Sequence, residues 1–316
     1  MYGHHVIEDL KLSQKQYSLP EPGYKHAMSL VIDSIKNAQH FHLGSFQEFI
    51  TPLDKIFHDE CRAFFGECGE NIRLPYKTCW FEFEDIVPGL PIEEDVPKRG
   101  VLTMEMDKDF FLAWIISWPK TFKRWVLSPQ MYFVTIGKNV YEHDKFRNLV
   151  SGFMGKSGLP VSSLPAHYES NIFPLPLSRK FGADEIIGLA GDDQRDLVAL
   201  NAALMLLSCK NVTTEENLPP AKLNKKRKKN GKPELFVYKT LKLVLPSGTS
   251  SQKEYLPSGE KVKIHLCRGH FKNYTKDSPL FGRYTGLYWW QAHIRGDKNE
   301  GIVVKDYALS SGKNGI

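Results

Sequence analysis

The net charge of the chain changes sign at one place, and no other feature divides the sequence so sharply. Residues 1–208 carry 21 Lys and Arg against 27 Asp and Glu, a net of −6; residues 209–316 carry 21 against 9, a net of +12. A positive field that dense in so short a segment selects a polyanion as its partner. The same segment holds Phe271, Tyr274, Tyr284, Tyr288, Trp289 and Trp290, rings on which bases can stack. The partner class indicated is nucleic acid, with DNA and RNA both open.

A length of 316 residues favours two domains over one. An apolar fraction of 41% is enough to build real cores. The longest apolar run, Phe110 to Trp118, is about half of the ~20 residues a membrane-spanning helix needs, so no membrane partner is expected. Met1 to Val6 lacks the basic start and apolar stretch of a secretory signal. Five scattered cysteines speak for a reducing compartment, and the expected location is the cytoplasm.

Periodicity predicts a helix from Tyr24 to Gln39, with Met28, Val31, Ile32, Ile35 and Ala38 on its apolar face. A second helix is expected to begin at Thr51-Pro52 and to bury Leu53, Ile56, Phe57 and Phe64. Thr78–Phe83, Val101–Met106, Phe110–Trp118 and Met131–Ile136 read as strands of a mostly antiparallel sheet. Trp80 to Glu84 alternates, which predicts one wet face there. Pro160 to Pro176 reads as a surface loop, and Asp192 to Lys210 as an apolar helix packed on the sheet. Residues 217–233 read as a basic linker, followed by strands at Leu235–Leu245, Val262–Cys267, Leu287–Ile294 and Ile302–Tyr307. The expected fold class is α+β: an acidic domain over 1–216 with N-terminal helices, the sheet and a central apolar helix, the linker, and a small basic β-rich domain over 234–316.

Lys225, Lys226, Arg227, Lys228 and Lys229 would grip phosphates, a contact that adds affinity without sequence information. The bland reading of such a run is a solvated linker. Lys239, Lys242, Lys261 and Lys263 on the following strands favour the binding reading. Lys261 to Leu266 alternates, so Lys261, Lys263 and His265 share a face, until Arg268-Gly269-His270 breaks the pattern. Trp289, Gln291, His293 and Arg295 share a face of the later strand. If the two strands pair, His265 and His293 can meet on one wet face beside Lys263 and Arg295. Trp289 or Tyr284 would stack on bases. Two or three histidines (His265, His270, His293), Arg268, Arg295 and a tyrosine such as Tyr274 are also the parts of a metal-independent ribonuclease. One His removes the 2′-hydroxyl proton, another protonates the leaving oxygen, and Arg stabilises the phosphate charge. His and Arg equally bind phosphate without catalysis.

His58, Cys61, Cys68 and Cys79 are zinc-type ligands at a spacing that fits no familiar zinc motif, and buried structural cysteine is the simpler reading. His4-His5 reads as an exposed terminus. No phosphate-binding glycine loop is present, and Gly155-Lys156-Ser157 lacks the first glycine such a loop requires. Asp192-Asp193 and Asp107 with Asp109 could be carboxylate pairs for Mg²⁺, with helix capping and a turn as the simpler accounts. No metal and no cofactor is expected.

Asn211-Val212 with Thr214-Glu215, Leu223 to Arg227, Gly231-Lys232-Pro233 with Leu235 to Tyr238, His265 with Arg268-Gly269-His270, His293 with Arg295-Gly296, and Lys305-Asp306-Tyr307 resemble motifs of an uncharacterised group of phage and prophage proteins. The resemblance covers roughly the last third of the chain and the helix before it. It implies a virus or integrated element acting in a bacterial cytoplasm and implies no mechanism. Three functions follow as expectations: nucleic-acid binding through the basic domain, metal-independent endoribonuclease action, or host takeover by contact with a host protein. In the last case Glu82, Glu84, Asp85, Glu93, Glu94 and Asp95 would mimic nucleic acid.

Overall fold

The computed structural model describes residues 2–16, 22–45, 73–84, 98–107, 110–135, 172–176, 183–244, 263–267, 270–290, 293–295 and 297–302. Among them are four helices, α1 (Gly3–Gln16), α2 (Pro22–Asn37), α3 (Ala183–Ser208) and α4 (Ala221–Lys229). Eight strands build the large sheet: β1 (Gln39–Ser45), β2 (Thr78–Glu84), β3 (Lys98–Asp107), β4 (Phe110–Trp118), β5 (Val126–Thr135), β6 (Ile172–Pro176), β7 (Val212–Asn217) and β8 (Tyr238–Leu243). Their order is β6-β5-β4-β3-β2-β1-β8-β7. β1 runs parallel to both neighbours, β2 and β8, and every other pairing is antiparallel. None of the described helices is long and apolar enough to cross a membrane.

Both faces of the sheet are covered. Val6, Ile7 and Leu10 of α1 and Met28, Val31, Ile32 and Ile35 of α2 pack with Trp80, Leu102, Trp114 and Phe133 on one face. On the other face α3 is tied to the sheet by buried polar contacts. Asp193 Oδ2 accepts hydrogen bonds from Ser128 (2.7 Å) and Tyr132 (2.6 Å), and Asp196 Oδ2 pairs with Arg99 at 2.9 Å. A sheet buried on both faces needs apolar residues on both, as Phe110 to Ile116 supplies.

Several expectations change. The helix that opens the chain, α1, was not foreseen, and His4, expected at an exposed terminus, is buried within it. β1 was likewise missed, because His40 and His42 break the apolar reading of a strand. The wet face expected along Trp80 to Glu84 does not exist, since α1 covers it and Glu82 is fully buried. α3 starts nine residues earlier than expected, at Ala183, so Asp193 lies inside the helix and does not cap it. Ile172–Pro176, expected in a loop, is an edge strand, a position in a sheet that tolerates Pro174 and Pro176 because an edge N–H can face away from the ladder. The expected linker 217–233 contains α4, and β8 joins the large sheet beside β1. The helix at Thr51-Pro52 and the ligand candidates His58, Cys61 and Cys68 lie outside the described residues; Cys79 is a buried free thiol on β2.

The chain divides into two compact units, Met1–Val244 and Leu245–Ile316. In the second, β9 (Lys263–Cys267) lies between β12 (His293–Arg295) and β13 (Asp297–Ile302), and β10 (His270–Tyr274) pairs with β11 (Gly286–Trp290).

The first unit turns on a buried carboxylate. Glu82 Oε2 accepts hydrogen bonds from the Tyr2 amide (2.6 Å), the Gly3 amide (3.2 Å) and the Trp80 indole (3.0 Å). Glu82 Oε1 stands 3.2 Å from His42 Nδ1. Two donors left over at the start of α1 are thereby met, and the negative charge sits at the positive end of the helix. Burial alone would raise the Glu82 carboxyl, but His42, the positive charge of the amino terminus, the Tyr2 amide and the Trp80 indole hold it at about 2. The Trp80 ring reaches this position only because residue 100 is glycine: a Cβ on Gly100 would lie 2.1 Å from the indole. Burial also holds the His4 and His40 imidazoles at about 4.

Replacing Glu82 with Ala strands these donors in the interior, and urea unfolding is expected to show a loss of about 3 kcal/mol. A loss below about 1 kcal/mol would show that the carboxylate does not anchor α1. Between pH 6.5 and 4 the unfolded chain binds protons that folded His4 and His40 refuse. Stability is therefore full above about pH 6.5 and falls through about pH 4. Urea midpoints that stay level on acidification would contradict this.

Candidate nucleic-acid interface

Residues 209–244 carry ten Lys and Arg against three Asp and Glu, a net of +7, and all belong to the first unit. More than half of the excess positive charge of residues 209–316 thus lies in the β7-α4-β8 segment at one edge of the large sheet, and the second unit carries the remaining +5. β7 and β8 pair from Val212↔Leu243 to Asn217↔Tyr238, and α4 fills the connection between them.

α4 has no buried residue, and a free helix of its length is marginal in water. Specific contacts hold it. The Asn224 side chain imitates a strand partner, accepting from the Leu235 amide (2.8 Å) and donating to the Leu235 carbonyl (3.1 Å). Arg227 Nε donates to the Pro233 carbonyl (2.6 Å), and Arg227 Nη2 reaches Glu8 of α1 at 3.4 Å. At the C-terminus Gly231 takes φ +65°. Its amide donates to the Lys228 carbonyl (3.1 Å), and the Lys232 amide to the Arg227 carbonyl (2.9 Å). This pair of bonds is the Schellman arrangement, which glycine enters without strain. Lysines in the last turn also face the negative end of the helix dipole.

The helix is divided by chemistry. Asn224 and Arg227 are on the held side. Lys222, Lys225, Lys226 and Lys229 recur at i, i+3, i+4 and i+7, one stripe of the helix, and all four are exposed. Lys228 is exposed beside the stripe. Of the five residues expected to grip phosphate, Arg227 is the exception: it is mostly buried and serves as a fastener. Lys239 and Lys242 are paired across the strands with Glu216 (3.4 Å) and Glu215 (3.8 Å), which reduces what they offer a ligand.

In the second unit the β9–β12 register sets Arg295 opposite His265 and His293 opposite Cys267. With Lys263 two residues before His265, these are positions on one face of the ladder. His270 stands opposite Trp290 in the other ladder, and Arg268 lies outside the described residues. Trp289, expected to stack on bases, is only 3% exposed and packs on Phe271 with ring centroids 4.5 Å apart. Tyr274 is edge-on to Tyr288 at 5.6 Å, with Lys272 Nζ 4.8 Å from its ring centre. Tyr284 is partly exposed, with the Arg283 guanidinium 4.6 Å away. Phe281, not among the rings expected to stack on bases, is 60% exposed at the tip beyond β10. Its signal was the string Pro279-Leu280-Phe281-Gly282, an apolar pair inside a turn.

Of the acidic residues proposed to mimic nucleic acid, Glu82 is buried and Glu84 accepts a hydrogen bond from the Tyr2 hydroxyl; Asp85, Glu93, Glu94 and Asp95 lie outside the described residues. Among the described residues, no three His, Cys, Asp or Glu side chains converge to hold a metal ion. No protein-family model, curated protein or solved structure matches the chain.

Arg227→Ala removes the bonds to Pro233 and Glu8. The amides of residues 221–232 and 234–235 are then expected to exchange hydrogen at least tenfold faster, equivalent to about 1.4 kcal/mol of local stability. Exchange at the wild-type rate would show that α4 is held by other means.

Proposed function

We propose that this chain binds nucleic acid by its sugar–phosphate backbone through the outward lysine stripe of α4, in the phage or prophage setting its C-terminal motifs imply. One observation carries the reading: a nine-residue helix with no buried side chain is fastened from one side and turns Lys222, Lys225, Lys226 and Lys229 to solvent. Four like charges on one stripe repel each other, and a polyanion relieves that repulsion. From Lys222 to Lys229 the helix rises about 10 Å, roughly three steps of 3.4 Å along one strand of a stacked duplex. Lysine meets phosphate as a point charge, so the stripe supplies affinity and orientation without reading sequence.

A second reading is favoured by the β9–β12 register. His265, His293 and Arg295, with Lys263 nearby, are the groups a metal-independent ribonuclease needs for proton transfer and charge stabilisation. It requires RNA cleavage that survives EDTA and disappears in His265→Ala.

Replacing the four stripe lysines with Gln tests the main reading. Binding of labelled single strands is measured over a range of salt concentrations. The slope of log affinity against log salt is expected to shrink by about 3, since each lost phosphate contact on a single strand removes roughly 0.7. Melting should change little, because no stripe lysine is buried and the lost dipole contact of Lys226 and Lys229 is offset by relief of the repulsion along the stripe. An unaltered slope would remove α4 from the interface.

A further inference from the structure

The strands β10 and β11 pair from His270↔Trp290 to Tyr274↔Gly286, and the chain beyond them closes in a tight turn at Leu280 to Tyr284. The Leu280 amide donates to the Tyr284 carbonyl (2.7 Å), the Tyr284 amide returns the bond (3.0 Å), and the Arg283 amide donates to the Leu280 carbonyl (3.2 Å). The two central residues, Phe281 and Gly282, both have positive φ, +52° and +73°. A turn with two positive φ values is ordinarily built from Asn-Gly or Gly-Gly, which enter that region easily. A bulky aromatic there is an outlier. It does not pack inward either: Leu280 beside it is buried, while the Phe281 ring is 60% exposed. The residue thus serves neither the turn nor the core.

The stretch of chain that carries it is basic. Lys272, Lys276 and Arg283 lie on the hairpin and turn against the single acid Asp277, counted over residues 270–290. Tyr284 follows, with the Arg283 guanidinium 4.6 Å from its ring centre. A projecting apolar ring among cations fits a partner that offers flat unsaturated faces within a negative backbone.

We propose that Phe281 is a stacking platform for unpaired bases, so that the tip of this turn engages single-stranded nucleic acid. The inference rests on the nucleic-acid reading and adds to it the single-stranded class of ligand. Strain at Phe281 is retained because stacking needs a ring at the apex.

The test uses the full chain with labelled oligo(dT), oligo(U) and duplex DNA at two salt concentrations. Phe281→Gly is expected to melt at or above the wild-type temperature, because glycine relieves the backbone, and to bind the single strands about tenfold more weakly. Its salt slope should match the wild type, since stacking releases no counterions. Phe281→Tyr should bind as the wild type does. Comparison of oligo(dT) with oligo(U) assigns the strand to DNA or RNA. Wild-type affinity in Phe281→Gly would overturn the platform and leave the lysine stripe standing. No binding of any oligonucleotide by the wild type would overturn both. Weakening confined to the duplex would overturn the single-stranded assignment. If Phe281→Gly melts lower, photocrosslinking of iodouracil oligonucleotides to the unaltered protein decides: an adduct at Phe281 supports the platform, and adducts confined to other peptides overturn it.

Discussion

A carboxylate with no access to water holds the start of α1, and much of the first unit depends on it. Glu82 meets both leading amides of the helix and fixes the Trp80 indole and His42 around it. Once placed, α1 makes further ties. Asp9 accepts the Trp125 amide (2.9 Å) in the turn before β5, Gln14 bonds Ser29 of α2 (2.8 Å), and Glu8 meets Arg227 of α4. A buried ionised group is costly unless its lone pairs are satisfied, so this anchor has essentially one acceptable geometry. Its effect reaches the surface: the helix that carries the exposed lysines is steadied by a residue of the helix that Glu82 positions.

The same economy explains the lysine helix. α4 has little to bury, and it owes its shape to Asn224, Arg227 and the Gly231 cap. Holding one side leaves the opposite stripe without an ion pair among the described residues. Nearby basic residues show the contrast. Lys239 and Lys242 are matched by glutamates on the neighbouring strand, while the stripe faces solvent. Phe281 follows a related logic in the second unit, where a turn gives up an easy residue for a projecting ring.

Sequence reasoning read the apolar strands well, because Phe110 to Trp118 and Val101 to Met106 have no helical period. It also located α2, α3 and the lysine run. It failed where polar residues are used inside. His4, His40 and Glu82 look like surface residues by type, yet all three are buried, Glu82 against matched donors and His40 against the Ile35 carbonyl, and α1 and β1 were lost with them. The charge break near residue 208 was real but marked no unit boundary. A hairpin can carry its charge on the connection between two strands, and pairing of β8 with β1 across about two hundred residues is invisible to local pattern. For the site, the identity of the lysines was legible, while the turning inward of Arg227 and Trp289 depended on contacts no spacing reveals.

The most direct measurement is the affinity of the unaltered protein for single-stranded RNA, single-stranded DNA and duplex DNA as salt is raised, with EDTA present. Binding through the lysine stripe predicts that log affinity falls linearly with log salt, with a slope of about −3 or steeper on a single strand. Failure to bind all three at low salt, or binding indifferent to salt, would contradict it.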